Sequence, residues 1–234
     1  MSVFSLEIKK ESQLPYLALL IGMFAISTSA ILIRHSNSEP LVIGSYRQAF
    51  ATLIFLPFII KDRGEEIRSQ SYVTLFEMIL TGILLGAHFS FFITSVKETS
   101  VAASVLLATC HVVYVAILGR FLFGEILSRE AIIGTSIALA GILILFGGDL
   151  LDNPGNFRGN LFAFISGILA GLYYLSGRKL RKIISLPTYA FVVYLFSFLT
   201  MFAVVLIQNL SYSNLPIAEI QLFLLMALIP TLLG

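Results

Sequence analysis

Charge is scarce in this 234-residue chain: Asp, Glu, Lys and Arg together make up 12%, against 58% apolar residues and a mean hydropathy of +0.95. So few polar groups cannot clothe a folded surface in water, which excludes a soluble globule. Cysteine is nearly missing. Cys110 alone closes no internal disulfide and says nothing about redox compartment. No H-E-x-x-H or G-x-S-x-G pattern occurs, which argues against an intramembrane enzyme. The histidines have no companion carboxylate or thiolate apart from Cys110, which argues against a bound metal, and nothing calls for a cofactor. Sizeable hydrophilic loops are lacking as well, so a receptor or scaffold would have little to offer a soluble partner. Met1–Leu14 is mixed and charged (Glu7, Lys9, Lys10, Glu11) without a cleavage-site pattern, and reads as a short cytoplasmic tail rather than a signal peptide.

What is present is long apolar runs. They cover approximately residues 15–33, 41–60, 71–95, 101–119, 131–146, 160–177, 189–207 and 217–234. Most approach the roughly 20 residues that cross a hydrocarbon core as a helix. Barrel strands alternate apolar and polar over about ten residues, whereas these runs are continuous and about twice as long, so a helical bundle is expected.

The cations order the runs. Eleven of the fifteen Lys and Arg fall on alternate flanks: Lys9, Lys10, Lys61, Arg63, Arg68, Arg120, Arg129, Arg178, Lys179, Arg181 and Lys182. The other flanks hold Arg34, Lys97 and Arg158, and Arg47 lies inside a run. Cationic loops stay cytoplasmic. The N-terminus is therefore expected inside a plasma membrane, with the loops near 35–40, 96–100, 147–159 and 209–216 outside. Loop topology accounts for the net charge of +2, which carries no message about nucleic acid.

Local signals fit helices. Pro15 and Pro40 open runs near the first turn, Thr99 or Ser100 can cap the fourth, and Asp152-Asn-Pro-Gly155 marks a turn. Gly82-x-x-x-Gly86, Gly167-x-x-x-Gly171 and Gly134-x-x-x-Ala138 set small residues on one face, suited to close helix contact and, as the lesser alternative, to self-association as a homodimer. The eighth run stops at Pro230-Thr-Leu-Leu-Gly234 with no polar flank, and is read as cut short or completed by a partner.

Residues 82–149 carry a resemblance. The third run ends in T-S-V-K-x-T-S-V, the fourth follows at once, and F-G-E with L-S opens the fifth. Tyr46-Arg47 in the second run, Gly159-Asn160-Leu161 opening the sixth and Gly177-Arg178-Lys179-Leu180-Arg181 closing it add to the pattern. Together these resemble the EamA-type transporters of the drug/metabolite transporter superfamily, over about residues 14–234. The resemblance implies ten helices in two inverted five-helix repeats around a central cavity. This chain would supply a first repeat over 15–149 and three helices of a second over 159–234, so eight of the ten. Leu84-Leu85-Gly86 and Leu232-Leu233-Gly234 would be equivalent points in the two repeats.

Polar groups inside lipid are costly and mark a wet passage or a partner. At about 1.5 Å of rise per residue, Ser27 and Arg47 lie about 10 Å below the outer surface, His88 and His111 roughly 12–15 Å down, and Tyr173 near 21 Å. These form a ladder of candidate pathway residues, with Tyr46 beside Arg47 and Tyr114 one turn from His111. Related sequences commonly have Pro at the position of His111. Tyr173 shares a face with Ser166, whereas Tyr174 falls on the Gly167/Gly171 packing face, so Tyr173 is preferred. Each has a plain structural alternative: Arg47 satisfied by carbonyls or snorkelling, His88 bonded between helices, Ser27 bonded one turn back. Phe89, Phe91 and Phe92 read as packing or lipid-facing, with one able to wall a pocket.

The function expected is secondary transport of a small metabolite, an amino acid or similar solute, by alternating access, with outward direction favoured by the family resemblance. Protons are a candidate coupling ion through a titratable histidine. The runner-up is a non-transporting membrane receptor or scaffold.

Overall fold

The computed structural model describes residues 14–124 and 128–234, and every regular element in them is a helix. The tail expected over residues 1–14 lies almost wholly outside these residues, as does Glu125 of the F-G-E signal.

The main helices are α1 (Leu14–His35), α2 (Pro40–Phe58), α3 (Gly64–Arg68), α4 (Tyr72–Glu98), α5 (Val101–Thr109), α6 (His111–Phe123), α7 (Arg129–Asp152), α8 (Phe157–Leu180), α9 (Leu186–Ile207) and α10 (Ile217–Met226). Seven segments are long and apolar enough to cross a membrane, with α5 and α6 counted as one. The eighth expected run forms Ile217–Leu233, a shorter apolar helix. The protein is a multi-pass helical membrane protein.

Three of the expected runs change pitch, each for a local reason. Pro57 removes a backbone donor near the end of α2, and the chain widens into a π-turn over Ile59–Arg63. Pro230 acts in the same way within Ala227–Leu233, where Thr231 Oγ1 donates to the carbonyl of Met226 at 2.9 Å. The fourth run breaks at Cys110. There Thr109 Oγ1 donates to Val105 O (2.8 Å) and Cys110 Sγ to Leu106 O (3.1 Å), so side chains compete for carbonyls of the preceding turn.

At the bundle centre α4 packs against α8 and α9, and α2 against α9. Two of the three small-residue pairs sit in close helix contacts, Gly82 and Gly86 of α4 against α9, and Gly167 and Gly171 of α8 against α5 and α6. A Cβ on Gly86 would lie 2.8 Å from the Ser197 carbonyl, and one on Gly167 would lie 2.9 Å from that of Leu107. The third expectation is corrected: a Cβ on Gly134 would meet nothing within 4 Å. Helix α7 is accordingly the least embedded, with Ile142 the only one of its described apolar side chains buried in the core.

Polar contacts separate two faces. One gathers Arg34, Ser36, Ser38, Lys97 and Glu219, with Lys97 Nζ donating to the Ser36 carbonyl. The other gathers Glu66, Glu77, Lys179 and Ser185, including the 2.6 Å Lys179–Glu77 ion pair. Ser100 is the residue that caps the fourth run, accepting from Ala103 N at 3.1 Å.

Candidate functional site

Between the two faces lies a cavity of about 430 Å³ whose walls come from α1, α2, α4, α5, α6, α8, α9 and the π-turn after α10. Five of the seven candidate residues meet there: Ser27, Arg47, His88, His111 and Tyr173. Sequence spacing alone did not connect them, because they come from five separate helices.

Arg47 is the central group. It is 3% exposed, within a span where a bare charge is strongly disfavoured. Its Nε donates to Thr231 Oγ1 at 2.7 Å and its Nη1 to Ser29 Oγ at 3.0 Å. Its guanidinium carbon sits 4.3 Å from the centre of the Phe89 ring, a cation–π contact. The expected carbonyl partners are replaced by two hydroxyls. The Pro230 π-turn aims Thr231 here, since the hydroxyl that satisfies Met226 O also receives Arg47. Among the described residues no carboxylate forms an ion pair with Arg47. The guanidinium therefore holds donor capacity beyond its two hydroxyl bonds, on a wall of the cavity.

His88 combines both of its sequence readings. It lines the cavity, and its Nδ1 lies 3.0 Å from the Ser166 carbonyl and 2.9 Å from Ser166 Oγ across the α4–α8 contact. Nδ1 either donates to the first or accepts from the second. Its ring lies parallel to Phe92 at 6.0 Å. His111 opens α6 just beyond the break at Cys110, bonds the Ala108 carbonyl at 3.2 Å through Nδ1, and sits 4.8 Å from the Tyr174 ring. Ser27 donates to Met23 O at 2.8 Å, one turn back as its plain alternative holds.

Two candidates are not brought to the cavity. Tyr46 donates to the Tyr212 carbonyl at 2.7 Å and stacks on the Tyr212 ring at 4.4 Å. Tyr114 is buried against Gly167, Gly171 and Phe164. Tyr173 and Tyr174 both line the cavity, their rings 5.2 Å apart. Tyr194 and Thr231 are cavity residues that sequence reasoning does not single out: Tyr194 is one polar position in an apolar helix, and Thr231 lies in a run read only as an unfinished end. Phe89 and Phe92 both wall the cavity, whereas Phe91 packs edge-on against Phe162 at 5.3 Å.

The wall is therefore one guanidinium, two imidazoles and three phenol rings set in apolar surface. It suits a small solute with an anionic group at Arg47 and an apolar body against the rings.

Comparison with known proteins supports a membrane transporter. An uncharacterized transporter of Archaeoglobus fulgidus is 29% identical over 121 residues, covering 51% of this chain and 43% of the relative. An uncharacterized transporter of Helicobacter pylori is 24% identical over 163 residues, covering 68% and 52%. The chain thus spans about half the length of the curated relatives it matches. A solved crystal structure superposes with a TM-score of 0.64 at 19% identity, over 93% of this chain and 76% of the other, which supports the fold alone. Residues 13–147 match the EamA-like transporter family, more than half of the chain. The chain belongs to that family, within the drug/metabolite transporter superfamily.

Proposed function

We propose that this protein is a secondary transporter moving a small carboxylate-bearing metabolite, an amino acid or similar solute, outward across the plasma membrane by alternating access. The observation that carries the reading is the buried Arg47, which has no carboxylate partner among the described residues and stands on a cavity walled by aromatic rings. A guanidinium kept in a span needs a wet or anionic neighbour, and a solute carboxylate supplies one. Tyr173, Tyr174 and Tyr194 offer hydroxyl and ring surface to the rest of the solute.

In this reading residues 15–149 form one five-helix repeat and residues 159–234 three helices of an inverted second, with the N-terminus cytoplasmic. The two repeats rock about the cavity, opening it to each face in turn. His88, held at Nδ1 by Ser166, has Nε2 left to exchange a proton, which makes protons the candidate coupling ion. The protein acts on lipid-embedded solute flux rather than on covalent bonds, and a homodimer is compatible with it.

The test is solute flux in proteoliposomes. Purified protein should give saturable uptake of one or more labelled amino acids, and the corresponding amides should be carried far less well. Arg47→Ala should lower the apparent affinity by about 10–100-fold, the effect of losing a hydrogen bond to a charged group. Folded protein that carries no member of a broad metabolite panel would instead favour the receptor or scaffold reading.

A further inference from the structure

Two clusters, one on each face, tie the part of the chain before residue 150 to the part after it. On one face the Glu219 carboxylate accepts from Ser36 Oγ (2.5 Å), Ser38 Oγ (2.9 Å) and the Asn37 amide (2.9 Å). On the other the Glu66 carboxylate accepts from Ser185 Oγ (2.5 Å), Thr188 Oγ1 (2.6 Å) and the Ser185 amide (2.8 Å). Each is a carboxylate holding two hydroxyls and one backbone N–H.

One donor of each cluster corresponds in sequence, Ser38 with Ser185; the others come from neighbouring positions of the same turns. Ser38-Glu39-Pro40 leads into α2 and Ser185-Leu186-Pro187 leads into α9, and a constant offset of 147 positions relates them. The same offset carries Arg34 onto Arg181. Both arginines donate from Nη1 to carbonyls, though to different partners: Arg34 to Val96 at the end of α4 (2.6 Å), and Arg181 to Ile184 within its own turn (2.7 Å). It also carries Arg47 onto Tyr194 and Ser27 onto Tyr174, all four on the cavity wall. The carboxylates come from corresponding stretches in a different register: Glu219 lies in the first turn of α10, and Glu66 lies just ahead of α4.

We propose that Glu219 with Ser36 and Ser38, and Glu66 with Ser185 and Thr188, are a matched pair of latches that part in alternation as the cavity opens to one face and then the other. This inference rests on the alternating-access reading above. The chemistry suits a reversible closure. Each carboxylate stands near a helix start rather than in mid-span, Glu66 half-buried and Glu219 8% exposed in the closed form, so water can replace the donors when a latch opens. Both latches are engaged in this structure, so opening either face breaks one three-bond cluster while leaving the other intact.

The experiment is two-sided thiol labelling. Ser27→Cys is placed on the cavity wall in a Cys110→Ser background, in oriented vesicles. A membrane-impermeant maleimide is added to one face or the other. Glu219→Gln should shift the labelling ratio about tenfold towards the face carrying residues 35–40, the change that goes with weakening a charge-assisted cluster. Glu66→Gln should shift it by a similar factor towards the opposite face. Ser38→Ala and Ser185→Ala should act in the same two directions more weakly, and carry the test if either Gln variant fails to fold. Labelling from both faces with a ratio unmoved by all four variants, or moved the same way by the two Gln variants, overturns the latches and leaves alternating access standing. Labelling from one face only, in the parent and in every variant, overturns alternating access and the latches together.

Discussion

The guanidinium of Arg47 lies over the ring of Phe89 at 4.3 Å while its Nε donates to Thr231 at 2.7 Å. Planarity and a forked donor set are both in use, and an ammonium has neither. Arg47→Lys is therefore expected to behave almost as Arg47→Ala does: apparent solute affinity falls at least about tenfold, in keeping with one lost charge-assisted bond. Phe89→Leu, which keeps an apolar wall but removes the ring quadrupole, should weaken affinity more mildly, by about 0.5–2 kcal/mol. Uptake kinetics on the three variants check the order.

The glycine pairs predict opposite outcomes for one substitution. Gly86→Ala would drive a Cβ to 2.8 Å from the Ser197 carbonyl and 3.0 Å from Thr200. Overpacking of this kind costs about 1–3 kcal/mol. Gly134→Ala meets nothing within 4 Å and should be neutral or should stabilise by up to about 1 kcal/mol through helix propensity. Thermal unfolding in detergent, followed by circular dichroism, distinguishes them. Equal losses would mean that α7 packs more closely than described.

Gln48 is fully buried, and neither its amide nitrogen nor its amide oxygen has a hydrogen-bond partner among the described residues. Leaving such a group unmade costs about 1–3 kcal/mol, so a similarly shaped apolar side chain should be better. Gln48→Met is expected to raise the unfolding temperature in the same assay. A lower temperature would show that the amide serves a bound partner.

Glu66 gives a pH dependence. Burial works to push its carboxyl up, but the bonds from Ser185 and Thr188, with Arg63 nearby, outweigh this and hold it below the usual carboxylate range. The bonded, ionised form is favoured in the folded protein, so its stabilisation is full above about pH 4.3 and is lost as pH falls through the depressed value. The difference in unfolding temperature between the protein and Glu66→Gln should be flat from about pH 8 to 5 and shrink below about pH 4. A difference that grows on acidification would contradict the assignment.

Much of this was legible in the sequence. Uninterrupted apolar runs of membrane-crossing length leave a helix as the only economical way to satisfy the backbone in lipid, so the spans could be read directly. Arg47 and His88 stood out because ionisable groups are rare in such runs. The rest depends on side-chain chemistry that periodicity does not encode. The break at Cys110 comes from Thr109 and Cys110 competing for carbonyls, and the π-turn at Pro230 decides that Thr231 meets Arg47. Tyr46 looked like a pathway residue from its neighbour in sequence, yet one step round α2 turns it to Tyr212. The serines that hold Glu66 and Glu219 read as ordinary loop residues until the carboxylates are seen beside them.

The most direct measurement is solute flux compared across two sets of tyrosine and arginine variants. Arg47→Gln and Tyr173→Phe alter the cavity wall, whereas Tyr46→Phe and Tyr114→Phe alter buried contacts outside it. The first pair should lose most of the saturable flux and the second should keep it, with all four proteins folded. Equal loss in both pairs, or full flux in Arg47→Gln, would contradict the claim that solute passes through this cavity.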